Sequence, residues 1–220
     1  MSRSYNIAID GPAGAGKSTV AKRIARELNY IYVDTGAMYR AMALYLIHNQ
    51  VDSRDQAAIA EACRYADISI EYQDGEQVVL LNGENVNAYL RTEEVGNMAS
   101  VSSAVPEVRL KLVELQRRLA AKADVVMDGR DIGTYVLPDA DVKIYLTASS
   151  RTRAERRFLE LKEKGGNRSL DEIEQDIVER DRRDMSREFA PLRQAEDAVL
   201  VDSSDMTADE VVERIISLCR

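Results

Sequence analysis

The pattern of apolar and polar positions predicts short strands that alternate with amphipathic helices. Residues 5–10 form an apolar run, and the residues after the following glycine-rich loop put Val20, Ile24, Ala25 and Leu28 on one helical face. Further strands are predicted at 31–33 and in DVVMDG, DVKIYLTAS and AVLVDSS, and further helices at 37–48, within 92–121, at 151–164, at 170–187 and in MTADEVVERIISLC. Strands that alternate with helices predict a parallel sheet covered on both faces, with ligands at the carboxyl ends of its strands.

The pattern changes between residues 67 and 95. ISIEY and QVVLL alternate like strands, the turn-forming QDGE separates them, and NGENVN follows. We therefore expect a small antiparallel insert on the parallel parent fold. The helix predicted just before it, in SRDQAAIAEACRYA, is expected to be capped by Ser53.

The length and composition suit one domain with insertions. A chain of 220 residues with 45% hydrophobic and 31% charged residues can bury a substantial core. We expect this core at 1–66, 96–150 and 188–220, the insert at 67–95 and two lid helices at 151–187. Gly165 and Gly166 join those two helices, which suits a lid that closes over a site.

Charge and cysteine content argue against several classes of protein. A net charge of -8 argues against a protein that binds nucleic acid or anionic membranes, because such partners are attracted by a broad positive surface potential. The sequence contains no run of about 20 apolar residues that could cross a bilayer, and its first residues show no signal-peptide core, so we expect a cytoplasmic protein. Cys63 and Cys219 lack the spacing of a zinc site or a disulfide framework.

A phosphate-binding motif follows the first predicted strand. It matches GxxxxGK[ST] with Gly11, Pro12, Ala13, Gly14, Ala15, Gly16, Lys17 and Ser18, and Thr19 continues into the predicted helix. Glycines let several backbone N–H groups point at one phosphate chain, and the helix amino end adds about half a positive charge. We expect Lys17 to reach the outer phosphates of a nucleoside triphosphate and the Ser18 hydroxyl to ligate a bridging Mg²⁺.

Two other strand ends carry arginines suited to a second phosphate. DTGAMYR ends in Arg40, and DGRDIGT contains Arg130. The planar fork of arginine can hold a phosphate with two hydrogen bonds and keeps its charge. The alternatives are a solvated arginine early in a helix for Arg40 and a surface ion-pair cluster for Arg130. Asp128, which opens the second motif, either holds a magnesium-bound water or caps the turn.

The two helices predicted at 151–187 are rich in arginine. The first carries Arg151, Arg153, Arg156 and Arg157, and the second carries Arg180, Arg182, Arg183 and Arg187. A phosphoryl-transfer site must concentrate positive charge and exclude water, and a closing lid of this kind would do both. The alternative is a solvated hairpin in which Glu155, Glu160 and Glu163 pair with the arginines. Among the arginines we favour Arg156, Arg180 and Arg187 as functional.

The motifs DGPAGAGKST, VDTGAMYR, MDGRDIGT, RDRRDMSR and APL, in this order and spacing, resemble those of bacterial cytidylate kinases. The resemblance spans essentially the whole chain. It implies a P-loop fold with a central five-stranded parallel sheet flanked by helices, a nucleotide-binding antiparallel insert and a helical lid. Adenylate kinases would instead tend to show TGD and DGFPR, and neither occurs here.

The resemblance also implies roles for individual residues. Arg40 and Arg130 would hold the phosphate of the accepting nucleotide, Asp131, Thr35, Arg109 and Arg187 would surround cytosine, and Ser100, Arg180 and Asp184 would address the ribose. Lys17, Arg130 and Arg187 would stabilise charge during transfer, and Arg156 would bind the donor. A carboxylate suits cytosine because it accepts a hydrogen bond from the exocyclic amine. Many relatives carry serine where this chain has Thr35, and threonine keeps the hydroxyl.

The resemblance implies in-line transfer of the γ-phosphoryl group of Mg-ATP to CMP or dCMP. The acceptor phosphate is itself a competent nucleophile, so no side-chain nucleophile is required. One rival is a kinase of the same fold for UMP, shikimate or a related acceptor, which should alter DTGAMYR and DGRDIGT. Another is a nucleotide-dependent switch that binds ATP without an acceptor pocket. We expect a monomer, since no long exposed apolar helix face is evident.

Overall fold

The computed structural model describes residues 4–163 and 165–219, and within these ranges it contains eight strands and eight α-helices. The strands are β1 Asn6–Asp10, β2 Ile31–Asp34, β3 Ile68–Gln73, β4 Glu76–Leu81, β5 Glu84–Asn85, β6 Val125–Gly129, β7 Val142–Thr147 and β8 Val199–Asp202. The helices are α1 Lys17–Leu28, α2 Thr35–His48, α3 Gln56–Ala62, α4 Glu93–Ser102, α5 Pro106–Ala120, α6 Ser150–Glu163, α7 Leu170–Ser186 and α8 Ala208–Leu218. Lys164, which the sequence placed at the end of a helix, lies outside the described residues.

Five strands form the central sheet, in the order β2-β6-β1-β7-β8. β1 pairs in parallel with β7, from Ile7 opposite Val142 to Asp10 opposite Tyr145. β8 continues the sheet in parallel beyond β7. The predicted parallel sheet is thus confirmed. Since parallel strands end at the same edge, the carboxyl ends of β1 and β7 lie side by side.

The chain divides into two compact units. One comprises Ile31–Val125 together with Ser4, and the other comprises Tyr5–Tyr30 together with the chain from Val126 onwards. The first unit contains helices α2–α5 and the predicted antiparallel insert, which is a three-stranded sheet in the order β3-β4-β5. The second contains the glycine-rich loop, strands β1, β7 and β8, and helices α1, α6, α7 and α8.

Local hydrogen bonds explain where several helices begin. Asp34 caps α2, because its carboxylate accepts a hydrogen bond from the N–H of Ala37 at 2.9 Å. α7 and α8 each open with a complete capping box, at Ser169 and Thr207. The predicted cap of α3 was wrong: Asp55, not Ser53, accepts from the N–H of Ala58. The cap lies two residues later because α3 begins only at Gln56.

Buried aliphatic side chains on both units form the core. Ile7 and Ile9 of β1 are fully buried, as is Ile24 on the inward face of α1. Cys63 and Cys219 are free thiols. In the part of the chain that the structure describes, no helix is both long and apolar enough to span a membrane.

Candidate active site

The loop between β1 and α1 is folded so tightly that three of its positions require glycine. Gly11, Gly14 and Gly16 have φ values of 149°, 75° and 85°, which L side chains rarely adopt. A Cβ atom on Gly11 would lie 1.9 Å from the carbonyl oxygen of Leu146 in β7. The loop therefore lies directly against β7, at the sheet edge where ligands bind in such folds.

Lys17, the first residue of α1, is buried within a cluster of charged side chains. Its Nζ donates a hydrogen bond to the carbonyl of Pro12 at 2.7 Å, and 6% of the residue is exposed. Burial and the positive charge of Arg130 lower the pKa of Lys17 well below its usual value, against the opposing carboxylates of Asp128, Asp10 and Asp184. The ammonium thus lies over the loop, within reach of a group held there.

Ser18 and Asp128 bring two hard oxygen donors together beside the loop. The Ser18 hydroxyl donates to Oδ2 of Asp128 at 3.0 Å, and Asp128 is buried at the end of β6. The described residues contain no group of three or more histidine, cysteine, aspartate or glutamate side chains that could enclose a metal. This donor set fits Mg²⁺, which typically takes one or two protein oxygens and completes its shell with phosphates and water.

Arg130, Asp184 and Arg187 lie together after β6 and at the end of α7. Nε of Arg130 donates to Oδ2 of Asp184 at 2.8 Å, and Nη2 of Arg187 lies 3.9 Å from Oδ1 of the same carboxylate. Burial alone would raise the pKa of Asp184, but the charges of Arg130 and Arg187 outweigh it and lower this pKa. Three of the predicted site residues thus form one ionised cluster.

Sequence reasoning missed Asp10, the last residue of β1. Its two carboxyl oxygens accept hydrogen bonds from the N–H groups of Ile132 and Gly133, each at 2.7 Å. These residues begin a π-helical turn, Ile132–Val136, directly after the predicted base-binding residue Asp131. Burial raises the pKa of Asp10 to about 7 despite those hydrogen bonds. The sequence feature that could have identified Asp10 is its position between the apolar residues of β1 and Gly11, the first glycine of the loop.

Sequence reasoning also left Arg153 and Asp181 unassigned, although both are buried and bonded to the glycine-rich loop. Nη1 of Arg153 donates to the carbonyl of Ala13 at 2.8 Å and to Oδ2 of Asp181 at 2.6 Å. Oδ1 of Asp181 accepts from the N–H of Ala13 at 3.1 Å. Helices α6 and α7 therefore contact the loop through one ion pair.

The remaining arginines of α6 and α7 divide between interior and surface. Arg156 is half-buried and donates to the carbonyl of Ser203 at 2.6 Å, after β8. Arg180 is half-buried, and its charge contributes to the lowered pKa of Asp184. Three other arginines are exposed and pair with carboxylates on the same two helices, as the alternative of a solvated hairpin predicts. The pairs are Arg151 with Asp171 and Glu174, Arg157 with Glu160, and Arg182 with Glu179.

In the first unit, the start of α2 is held by Asp34 and its neighbours. The Asp34 carboxylate pairs with Arg91 at 2.8 Å, and its backbone exchanges two hydrogen bonds with the Gln77 amide. A Cβ on Gly36 would lie 3.2 Å from Nη1 of Arg40. The Arg40 guanidinium therefore lies over the first turn of α2, next to the buried Thr35.

Arg109 is the largest fully buried side chain of the first unit, with 1% of the residue exposed. Its Nη1 donates to the carbonyl of Ser103 at 3.1 Å, and its guanidinium lies 5.4 Å from the centre of the Tyr39 ring. Ser100 on α4 is half-buried, and its hydroxyl has no hydrogen-bond partner among the described residues. A buried arginine and an unsatisfied hydroxyl are typical of a polar ligand site.

Comparisons with known proteins point to one family. The family model described as cytidylate kinase matches residues 7–220. A cytidylate kinase of Caldicellulosiruptor bescii is 50% identical over 216 residues, covering 98% of this chain and 96% of that protein. A cytidylate kinase of Lactobacillus johnsonii is 52% identical over 212 residues, covering 96% and 92%.

Solved structures with much lower identity share the fold. A gluconokinase from Sinorhizobium meliloti superposes with a TM-score of 0.51 at 13% identity, covering 100% of this chain and 94% of that chain. A shikimate kinase from Bacteroides thetaiotaomicron gives a TM-score of 0.51 at 13% identity, with 98% of each chain covered. At this identity the likeness concerns the fold alone.

Proposed function

Because this chain belongs to the cytidylate kinase family, we propose that it transfers the γ-phosphoryl group of ATP to CMP, giving ADP and CDP, and that it phosphorylates dCMP in the same way. The observation that carries this proposal is the family match along residues 7–220, together with about 50% identity to cytidylate kinases over nearly the whole chain. The geometry of the charged cluster beside the glycine-rich loop supports the mechanism.

The donor nucleotide is held by the glycine-rich loop. Residues 11–19 surround the phosphates of ATP, and the backbone N–H groups of residues 14–19 address them, since Pro12 has no N–H and that of Ala13 is bonded to Asp181. The amino end of α1 adds positive potential. Lys17 exchanges its hydrogen bond to Pro12 for one to an outer phosphate oxygen, where its charge opposes the charge that develops during transfer. Arg156 binds the donor nucleotide.

Ser18 would hold Mg²⁺ through its hydroxyl, and Asp128 would hold it through a bound water. The ion would supply positive charge that offsets the negative charge of the outer phosphates of ATP. The Ser18 hydroxyl and the Asp128 carboxylate lie 3.0 Å apart, so both oxygens face the same side of the loop, where the ion would bind.

The acceptor phosphate is held by Arg40 and Arg130. Asp184 bonds Nε of Arg130 and so fixes the plane of its guanidinium. Nη1 also donates to the carbonyl of Gly129 at 3.4 Å, and the remaining Nη donors address a phosphate. An acceptor phosphate oxygen attacks the γ-phosphorus, a new P–O bond forms, and the bond to the β–γ bridging oxygen breaks as ADP leaves. Arg130, Arg187 and Lys17 stabilise the charge in this step.

The remaining predicted residues select the cytidine. Asp131 accepts a hydrogen bond from the exocyclic amine of cytosine, while Thr35, Arg109 and Arg187 address the rest of the base. Ser100, Arg180 and Asp184 address the ribose. The unsatisfied Ser100 hydroxyl and the buried Arg109 guanidinium support this assignment.

The proposal also covers the organisation of the chain. Residues 151–187 act as the lid and residues 67–95 as the insert of one domain, and the chain acts as a monomer.

A panel of acceptors tests this proposal. Steady-state turnover with ATP and Mg²⁺ is measured against CMP, dCMP, UMP, AMP, GMP and shikimate. We expect CMP and dCMP to be the preferred acceptors by kcat/KM. Preference for any other acceptor would overturn the assignment of the base.

Asp131→Asn tests the cytosine contact within the same panel. Uracil carries a carbonyl where cytosine carries the amine, so the amide of the variant can donate to UMP. We expect kcat/KM for CMP to fall about 10²-fold or more and that for UMP to rise, which removes most of the discrimination. Asp205→Asn, an exposed aspartate in the loop after β8, is the matched control and should keep the wild-type preference.

A further inference from the structure

One buried ion pair connects both lid helices to the glycine-rich loop. Arg153 lies in the first turns of α6 and Asp181 lies in α7, and their side chains are 7% and 10% exposed. Between them they bond both backbone polar groups of one residue: Arg153 donates to the carbonyl of Ala13, and Asp181 accepts from its N–H. These groups belong to the peptides before and after Ala13, so the two helices set the orientation of both peptides.

The pair is held in a single geometry. Nε of Arg153 also donates to the carbonyl of Ala148, at 2.9 Å, so the guanidinium is fixed at once by the residue that follows β7, by the loop and by α7. A Cβ on Gly14 would lie 3.3 Å from the Cβ of Arg153, closer than nearly all real contacts. The loop thus fits closely around the base of this side chain.

The same face of α7 also reaches the arginine assigned to the acceptor. Asp184 follows Asp181 by three residues, so both carboxylates project from one side of the helix. Asp181 bonds the loop, and Asp184 bonds Arg130 at 2.8 Å. A displacement of α7 would therefore alter both groups together.

We propose that Arg153 and Asp181 are positioning residues that fix the two peptides flanking Ala13 and make the loop depend on the placement of α6 and α7. With the Ala13 carbonyl bonded to Arg153, the Gly14 N–H of the same planar peptide points away from Arg153 and towards the phosphates. The inference rests on the proposed function, because it takes the loop to bind the phosphates of ATP. Neither residue touches the reacting atoms. Their effect passes through the backbone of the loop.

The test uses substitutions that keep size and fold. Asp181→Asn keeps an acceptor for the Ala13 N–H but removes the charge, and Arg153→Lys keeps the charge but cannot hold three oxygens in one plane. Removal of one partner would leave the other charge buried, so the double variant Arg153→Met with Asp181→Leu, which removes both charges, guards against a loss of folding. The exposed pair Arg151 and Asp171 joins the same two helices, and Arg151→Lys and Asp171→Asn are the matched controls.

We expect KM for ATP to rise about tenfold in each single variant, as for the loss of one charge-assisted hydrogen bond, while KM for CMP changes less than about twofold. The dissociation constant of inorganic tripolyphosphate should rise by the same factor, because that probe reports on the loop alone. The double variant should be no worse than either single variant, since the two residues act as a unit. The control variants should match the wild type.

The result that overturns the inference is a fall in melting temperature with KM for ATP and tripolyphosphate binding unchanged, or an equal rise in KM for both substrates. Either would make the pair a structural contact only. Failure of the proposed function is a separate outcome: the wild-type protein would not phosphorylate CMP. In that case the tripolyphosphate measurement still decides the role of the pair.

Discussion

At the scale of single residues, Asp10 and the buried Arg153 make the contacts beside the glycine-rich loop that the sequence did not reveal. Asp10 bonds two backbone N–H groups that follow it by more than 120 residues, at 2.7 Å each. Those bonds fix the turn that begins after Arg130 and Asp131. The carboxyl group is buried next to Asp131 and Lys17, whose charges act on it in opposite directions. Asp10 therefore connects the end of β1 to the π-helical turn Ile132–Val136.

Asp10 should make stability depend on pH. Burial raises its folded-state pKa from 3.8 to about 7, so the folded protein keeps a proton that the unfolded chain releases. The retained proton contributes on the order of 4 kcal/mol to the free energy of unfolding. This stabilisation is complete below the pKa of the unfolded chain and is lost as the pH rises to about 7. Asp10→Asn removes the titration. Calorimetric melting temperatures from about pH 5 to about pH 8 should therefore fall more for the wild type than for the variant.

The comparison with the variant isolates Asp10, because every other ionisable side chain is the same in both proteins. Asp205→Asn, at an exposed position, should follow the wild-type curve. Parallel curves for the wild type and Asp10→Asn would show that the Asp10 carboxyl group does not titrate in this range.

At the scale of elements, the glycine-rich loop depends on its approach to β7. Gly11→Ala would put a Cβ 1.9 Å from the Leu146 carbonyl, and a backbone atom cannot move aside without shifting the strand. We expect at least ~3 kcal/mol lower free energy of unfolding. Gly75→Ala is the control, since its φ is also positive but no atom lies within 4 Å of the new Cβ. It should cost about 1 kcal/mol.

Urea denaturation of both variants checks this expectation. Equal losses for Gly11→Ala and Gly75→Ala would mean that only the positive φ matters and that the loop can move away from β7.

Helices and strands were predictable from the sequence, whereas contacts between them were not. The period of apolar residues gave β1, α1 and the antiparallel insert, because burial of one face dictates that pattern. The cap of α3 and the inward direction of Arg153 were missed. Arg153, not only Arg156, points inward because α7 supplies Asp181 28 residues away, and an arginine-rich helix does not reveal which face meets such a partner. The bonds of Asp10 were hidden by a longer separation, since its partners lie 122 and 123 residues away in the sequence.

At the scale of the whole molecule, an acidic chain contains a local concentration of arginine and lysine. The net charge is -8, yet Lys17, Arg130 and Arg187 cluster around buried carboxylates beside the loop. Such a cluster attracts small phosphorylated ligands, whereas the overall charge repels large polyanions. The family and fold were predictable from the motifs. The roles of single site residues, the monomeric state and the cytoplasmic location stay predictions.

CMP alone should stabilise the protein, since the proposed acceptor site needs no ATP to bind it. A ligand at about 100 times its Kd contributes about 2.7 kcal/mol, which for a chain of this length corresponds to a rise of about 5–10 °C in melting temperature. Differential scanning fluorimetry with CMP, and with GMP as the control, measures this shift. Stabilisation by ATP but not by CMP would favour a nucleotide-binding switch without an acceptor site.

The most direct test of the central claim follows the phosphoryl group itself. The protein is incubated with Mg²⁺, CMP and ATP labelled at the γ-phosphate, and the products are separated by chromatography. The proposed function predicts that the label appears in the β-phosphate of CDP, in an amount equal to the ADP formed. Label found in orthophosphate, or ADP formed without labelled CDP, would contradict transfer to CMP.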